Sequence, residues 1–256
     1  MNDYLLIKTE ADLCTLFMGA MAKVPGWTCY PETAGFDILV VHEDGRQIGV
    51  EAKLALNAKV ADQILPNHWE DYYGKAGPDH RLVIVSKVTD ASKGIIKMLE
   101  MLGVTVLLPN CISGDMRGFD LRSGLFLYEG IISAHPRMFD WSPAERCQVP
   151  MVVPALPAGV PAPISLTPWK ESALKVVALM RAQGFITAKQ IASFGISTSS
   201  WTQHTNKHAW LAKGTVRGTW VETEHMPAFD KQHPDAYALV VEQLQAESNQ
   251  QLELTA

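Results

Sequence analysis

The stretch Tyr30–Leu54, YPETAGFDILVVHEDGRQIGVEAKL, leaves the chain little choice of local structure. Phe36 to Val41 is apolar and β-branched, Glu43-Asp44-Gly45 is a turn signal, and Gln47 to Leu54 is a second strand-like run, so the stretch predicts a β-hairpin. A three-residue loop of Glu43, Asp44 and Gly45, with Gly45 in the left-handed conformation that its missing Cβ permits, pairs His42 with Arg46. Asp37 then faces Glu51, Lys53 faces Gly35, and alternation along the strands puts Asp37, Glu51 and Lys53 on one face. A two-residue Asp44-Gly45 loop would slip the register by one and send Asp37 to the other face. Two opposed carboxylates repel by up to about 1 kcal/mol. A hard divalent cation, which takes carboxylate oxygens, would reverse that sign. The plain alternative is a solvated face carrying ordinary charges, against which stands an Asp set between Phe36 and Ile38.

Asp37, then Glu51-Ala52-Lys53 on the neighbouring strand, resembles the signature of the PD-(D/E)XK, or restriction-endonuclease-like, nuclease superfamily. The resemblance covers roughly residues 9 to 108, and Phe36 stands where the motif's name has Pro, a departure that touches no metal ligand. It implies a Mg²⁺- or Mn²⁺-dependent deoxyribonuclease, acting as an endonuclease, with Asp37 and Glu51 as metal ligands. Lys53 would orient the attacking water or stabilise developing charge. In some families of the superfamily a Glu on the first helix completes the site, and Glu10 resembles it in position. Glu32, just upstream of the hairpin, competes for that role. A polar residue on the helix after the hairpin often supports the site or touches DNA, which Gln63 would do here. Two other uses stay open: a non-catalytic DNA-binding protein that keeps the fold for shape, and a subunit that cuts only with a partner.

The order of elements around the hairpin is legible too. Thr9 to Lys23 predicts a helix with Thr9 as its cap, and Glu10 in its first turn also suits the helix dipole. Pro25-Gly26 stops it, and Trp27 to Tyr30 is a short strand. Asn57 to Leu65 is a short helix on which Lys59 and Gln63, four apart, share a face. The aromatic run His68–Tyr73 follows and reads as packing before it reads as a base-stacking platform. Arg81 to Ser86 and Val104 to Leu108 are apolar strands flanking a helix from Asp90 to Leu102, which implies a buried parallel pair with a right-handed crossover. The expected fold class is α/β, in the order α-β-β-β-α-β-α-β, a mixed sheet with helices on its faces.

Residues 1–147 form the expected catalytic domain. From Gln148 to Pro168 the chain holds six prolines, an extended and semi-rigid linker that marks a boundary. Beyond it, Pro168 to Gln183 is an amphipathic helix ended by Gly184. Thr187 caps a second helix, Gly195 turns the chain, and Ser197 or Thr198 caps a third helix running through Leu211. Lys213 to Val221 could form two short strands. Residues 169–225 therefore resemble a winged helix-turn-helix domain. In that arrangement Ser199, Thr202, Gln203, Thr205 and Asn206 would face base edges, and Lys207, Lys213 and Arg217 would meet phosphates. The rival use is a protein-interaction module. His204 and His208 have helical metal-pair spacing but no evident third ligand. The acidic tail, 226–256, predicts a terminal helix that would aid dimerisation.

Charge is partitioned. The net charge of −5 comprises 14 Lys/Arg against 19 Asp/Glu in residues 1–164, 7 against 3 in residues 165–225, and 1 against 5 thereafter. The basic excess falls on the segment expected to bind DNA. The four cysteines are scattered, with no CxxC pair, so no zinc ribbon or disulfide framework is expected. No basic leader precedes an apolar run and no stretch is long enough to span a bilayer, which predicts a cytoplasmic protein without membrane partners.

Overall fold

The computed structural model describes residues 7–66, 75–109, 111–112, 115–116, 119, 127–128, 131–132, 141, 143–154, 157–159, 166–202 and 209–255. The chain divides into two compact units, Met1–Val149 with Val153–Ser165, and Pro150–Val152 with Leu166–Ala256. Among the described residues, no helix is long and apolar enough to cross a membrane.

The first unit is α/β, with a mixed five-stranded sheet flanked by helices. Its elements are α1 (Glu10–Met21), β1 (Trp27–Thr33), β2 (Phe36–His42), β3 (Gln47–Ala55), α2 (Lys59–Ile64), β4 (His80–Lys87), α3 (Lys93–Met101) and β5 (Thr105–Leu107). Strand order follows the sequence, β1-β2-β3-β4-β5. The pairs β1–β2 and β2–β3 are antiparallel, while β3–β4 and β4–β5 are parallel. The parallel pairs need the crossovers that α2 and α3 supply.

Helix α1 buries Leu13, Cys14, Phe17 and Met21 against Ile38, Val40, Ile48, Val50, Ala52, Leu82 and Ile84. Helices α2 and α3 bury Val60, Ile64 and Leu99 in a second cluster with Phe36, Leu39, Val83 and Val85. Consecutive residues of β4 thus alternate between two cores, which is why its sequence is continuously apolar. Each large side chain so buried contributes roughly 1.5–3 kcal/mol. Two small hairpins follow, β6 (Cys111–Ile112) with β7 (Asp115–Met116) and β8 (Leu127–Tyr128) with β9 (Ile131–Ile132).

The second unit contains α4 (Pro168–Gln183), β10 (Ile186–Thr187), α5 (Ala188–Ser193), α6 (Thr198–Thr202), β11 (Leu211–Lys213), β12 (Thr219–Glu222), α7 (Phe229–Gln232) and α8 (Pro234–Thr255). Thr167 caps α4 with Pro168 in its first turn, and Thr187 and Gln190 form a reciprocal capping box on α5. The antiparallel sheet has the order β10-β12-β11. Leu211 begins a strand rather than ending the third helix; it is buried in the core, and the expected stretch Gln203–His208 lies outside the described residues. Trp169, Trp201, Trp210 and Phe229 pack with ring centroids 5.7–6.5 Å apart. The tail joins this core through Phe229, Ala236 and Val240, and Met151 joins it by donating its N–H to Glu171 Oε1 at 2.6 Å.

Candidate active site

The hairpin loop fixes the site. His42 N–H donates to the Arg46 carbonyl and Gly45 N–H to the His42 carbonyl, with Gly45 at φ +90°. The resulting register runs from Val41↔Gln47 through Ile38↔Val50, and one further step along the strands sets Asp37 opposite Glu51. On the other side, β1 and β2 pair as Pro31↔Ile38 and Thr33↔Phe36, so Glu32 stands opposite Asp37 at a position where the ladder is interrupted. Glu32, Asp37 and Glu51 therefore occupy one row across three adjacent strands. Glu32 has a left-handed backbone, φ +47°, which accounts for the interruption.

Helix α1 brings in the fourth carboxylate. Thr9 Oγ1 accepts from Asp12 N–H at 3.1 Å, and Asp12 Oδ2 accepts from Thr9 N–H at 2.8 Å. This capping box sets Glu10 as the first helical residue, beside the sheet. Lys53 Nζ then donates to Glu51 Oε1 at 2.9 Å, to the Ala52 carbonyl at 2.9 Å and to Glu10 Oε2 at 3.4 Å. Asp37 Oδ2 accepts the Ala52 N–H at 2.7 Å. The Ala52 backbone is thus held at its N–H by Asp37 and at its carbonyl by Lys53. An open cleft of about 550 Å³ is lined by Glu10, Glu32, Asp37, Glu51 and Lys53, by Asn57 ahead of α2 and Lys59 and Gln63 on it, and by Gly159.

Four carboxylates share this cleft with two lysines, and the imbalance is reflected in the proton affinities. Burial pushes Asp37 above the usual carboxylate range, against the Ala52 hydrogen bond and Lys53, and Glu10 adds to the rise. Glu51 is also raised, first by burial and then by the field of Asp37, with the Lys53 bond opposing. Burial works against the Lys53 ammonium, but the Glu51 hydrogen bond and the fields of Glu51, Asp37 and Glu10 outweigh it and raise its pKa. The buried Cys14 thiol is pushed up by its burial and by the fields of Asp37, Glu32, Glu10 and Glu51. All four acids act on one buried sulfur.

Among the described residues, no group of three or more His, Cys, Asp or Glu side chains is arranged to hold a metal ion. The donor set present is nonetheless one that suits a hard cation bound through few protein ligands. Mg²⁺ usually keeps several waters and takes one or two carboxylates, and Asp37 and Glu51 are two half-buried or buried carboxylates at one register position.

All six residues expected at the site from the sequence (Glu10, Glu32, Asp37, Glu51, Lys53 and Gln63) border this one cleft. Asn57 and Gly159 were not anticipated. Asn57 could have been found as the residue whose Oδ1 accepts the Lys59 N–H at the helix start, a local pattern. Nothing local marks Gly159. In the second unit Ser199, Lys213 and Arg217 are exposed, and Ser199 Oγ lies 2.8 Å from Ser197 Oγ. Thr202 lies on α6, while Gln203, Thr205, Asn206 and Lys207, like His68–Tyr73, His204 and His208, fall outside the described residues. Arg181 is committed to structure: it pairs bidentately with Glu222 at 2.7 and 2.9 Å, meets Asp230 at 3.1 Å and lies over the Tyr237 ring. No protein-family model, curated protein or solved structure matches this chain.

Proposed function

We propose that the chain is a divalent-cation-dependent deoxyribonuclease with a restriction-endonuclease-like core, hydrolysing DNA phosphodiester bonds as an endonuclease, and that its second unit is a winged-helix DNA-binding domain. The observation that carries this is the convergence of Asp37, Glu51 and Lys53 in an open cleft with more carboxylate than ammonium. Asp37 and Glu51 would hold Mg²⁺ or Mn²⁺, which supplies positive charge at the scissile phosphate and lowers the pKa of the attacking water.

The chain's own residues do the rest. Lys53, its pKa raised by the Glu51 hydrogen bond and by the fields of Glu51, Asp37 and Glu10, is an ammonium in the metal-free cleft and suits the part of a donor rather than a base. It donates instead, to the attacking water or to a non-bridging phosphate oxygen where charge develops. Glu10 also accepts from that ammonium, at 3.4 Å. Asn57, Lys59 and Gln63, exposed on the rim, suit contacts to the DNA backbone near the scissile bond. In the second unit, the order helix, strand, two helices and two strands supports the winged-helix assignment, with exposed Lys213 at the end of β11 and exposed Arg217 in the β11–β12 loop.

Incubation with supercoiled, linear and branched DNA in Mg²⁺ or EDTA tests the proposal. Cleavage is expected in Mg²⁺ alone, including of circular DNA, and is lost in the Asp37→Asn variant. EDTA-resistant cutting, or no cutting of any substrate, sinks it. A non-catalytic DNA-binding role is favoured by one observation, that Glu51, Glu10 and the Ala52 carbonyl occupy all three Lys53 donors. That role predicts Mg²⁺-independent binding with every substrate intact.

A further inference from the structure

The described tip of the proline-rich segment, residues 157–159, lies against the candidate active site. Ala158 is 1% exposed, in the cluster that contains Leu13, Cys14 and Phe17. Gly159 has φ +75°, and a Cβ built there would stand 2.9 Å from the Glu10 carbonyl carbon, 3.0 Å from the Ala11 nitrogen and 3.1 Å from Cys14 Sγ. Two independent constraints, backbone conformation and space, therefore demand glycine. Its N–H donates to Glu32 Oε1 at 2.7 Å, across 127 residues of chain. Glu32 meets it from a left-handed backbone, a conformation that a non-glycine residue keeps only where its surroundings hold it. The turn beneath Gly159 is the one that presents the Glu10 carboxylate to Lys53 Nζ.

We infer that residues 157–159 latch the cleft: Gly159, held by Glu32, is a positioning residue that seats the first turn of α1 and, through Glu10, sets Lys53 beside Glu51. The chain enters this segment from Pro150–Val152 and leaves it to Leu166, both of which belong to the second unit. The latch is thus made by a segment whose two ends are covalently continuous with the other unit. Its effect on cleavage rests on the nuclease proposal; its effect on the first unit does not.

The test uses the full chain and the variants Glu32→Ala, Glu32→Gln, Gly159→Ala and Glu32→Ala/Gly159→Ala. Three readouts are taken without DNA or metal, or with both: amide exchange of the segment and of α1, the ¹³Cε shift of Lys53, and the single-turnover rate on saturating duplex DNA in Mg²⁺. Glu32→Ala and Gly159→Ala are each expected to reduce protection about tenfold, move the Lys53 signal and slow cleavage about tenfold with DNA affinity unchanged. The double variant is expected to be no worse than either single one, because both remove the same interaction. Glu32→Gln, whose amide oxygen still accepts the Gly159 N–H, restores protection and the Lys53 signal. Wild-type protection in Glu32→Ala, or reduced protection with the Lys53 signal unmoved, overturns the latch. So does Glu32→Gln that keeps protection but leaves the Lys53 signal where Glu32→Ala puts it, since charge rather than position would then matter. If the wild type cleaves nothing, the nuclease proposal alone fails, and exchange and the Lys53 signal still decide the latch.

Discussion

Asp37, Glu51 and Lys53 differ in what each removal should do, because their partners differ. Asp37→Asn keeps an oxygen for the Ala52 N–H and removes a charge that Glu51 and Glu10 repel. In EDTA it should melt no lower than the wild type, with a gain of up to about 1 kcal/mol at neutral pH. The sign of the pH dependence follows from the raised pKa. The wild-type carboxylate takes up its proton at a higher pH folded than unfolded, so its penalty is full above the folded pKa. The penalty shrinks as pH falls and is gone below the unfolded value of about 3.9. The advantage of the Asp37→Asn variant, followed by thermal melts, should therefore narrow on acidification; a constant advantage would refute charge repulsion. Lys53→Ala should do the reverse, since Glu51, with a side chain 4% exposed, is then left without its ammonium. Breaking a buried pair costs roughly 3–5 kcal/mol, and protonation of Glu51 holds the loss to the lower end. Mg²⁺ should raise the melting temperature of the Lys53→Ala variant more than that of the wild type, yet leave its cleavage slower by about 10²–10³. These three residues were legible in the sequence because a hairpin relates them through a short loop. The left-handed Glu32 was not, since no local pattern calls for φ +47° at a glutamate.

At the scale of elements, the hairpin is fixed by packing as much as by its loop. Phe36, the residue that departs from the motif's Pro, lays its ring over Gly49: a Cβ at position 49 would approach ring atoms to 2.6–2.8 Å. Arg81 covers the same ring at 5.7 Å. Gly49→Ala should thus destabilise the first unit by about 1–3 kcal/mol, the range for overpacking a filled site. Adding Phe36→Leu should recover part of that loss, a coupling readable from denaturant melts of both single variants and the double. If Gly49→Ala and Phe36→Leu simply add, the ring is not what excludes the side chain. The strands themselves were predicted within a few residues because their apolar runs and turns are local. Strand β1 runs to Thr33 rather than Tyr30, extended by cross-strand pairing with β2 that propensity does not encode. The third helix of the second unit was overextended for a related reason: Trp210 and Leu211 continue a helical apolar spacing, but Leu211 is claimed by pairing with Glu222.

Over the whole molecule, the chain crosses between its units more often than a proline-rich spacer suggests. Residues 150–152 lie with the second unit and 153–165 with the first, an assignment that proline content cannot reveal because it depends on long-range bonds such as that from Gly159 to Glu32. Charge is the property that does divide the molecule simply. The chain is acidic overall, and the basic excess of residues 165–225 is offset in part by Asp230 from outside that segment, which pairs with Arg181. Lys213 at the end of β11 and Arg217 within the following loop stand exposed beside Val216, which is 65% exposed, so this loop offers charge and an apolar surface together. If the second unit carries the affinity for duplex DNA, Lys213→Ala/Arg217→Ala in the full chain should weaken binding at every salt concentration. The slope of log affinity against log salt should fall by about 0.9 for each phosphate that is no longer neutralised. Cleavage should slow only when DNA is subsaturating, because neither residue belongs to the first unit, which holds the proposed active site; at saturating DNA the single-turnover rate should match the wild type. Fluorescence anisotropy across a salt series, beside single-turnover cleavage, separates the outcomes. An unchanged slope would assign the loop to a protein partner. An unchanged slope with a slowed saturating rate would mean that the two residues act on the proposed active site rather than on DNA.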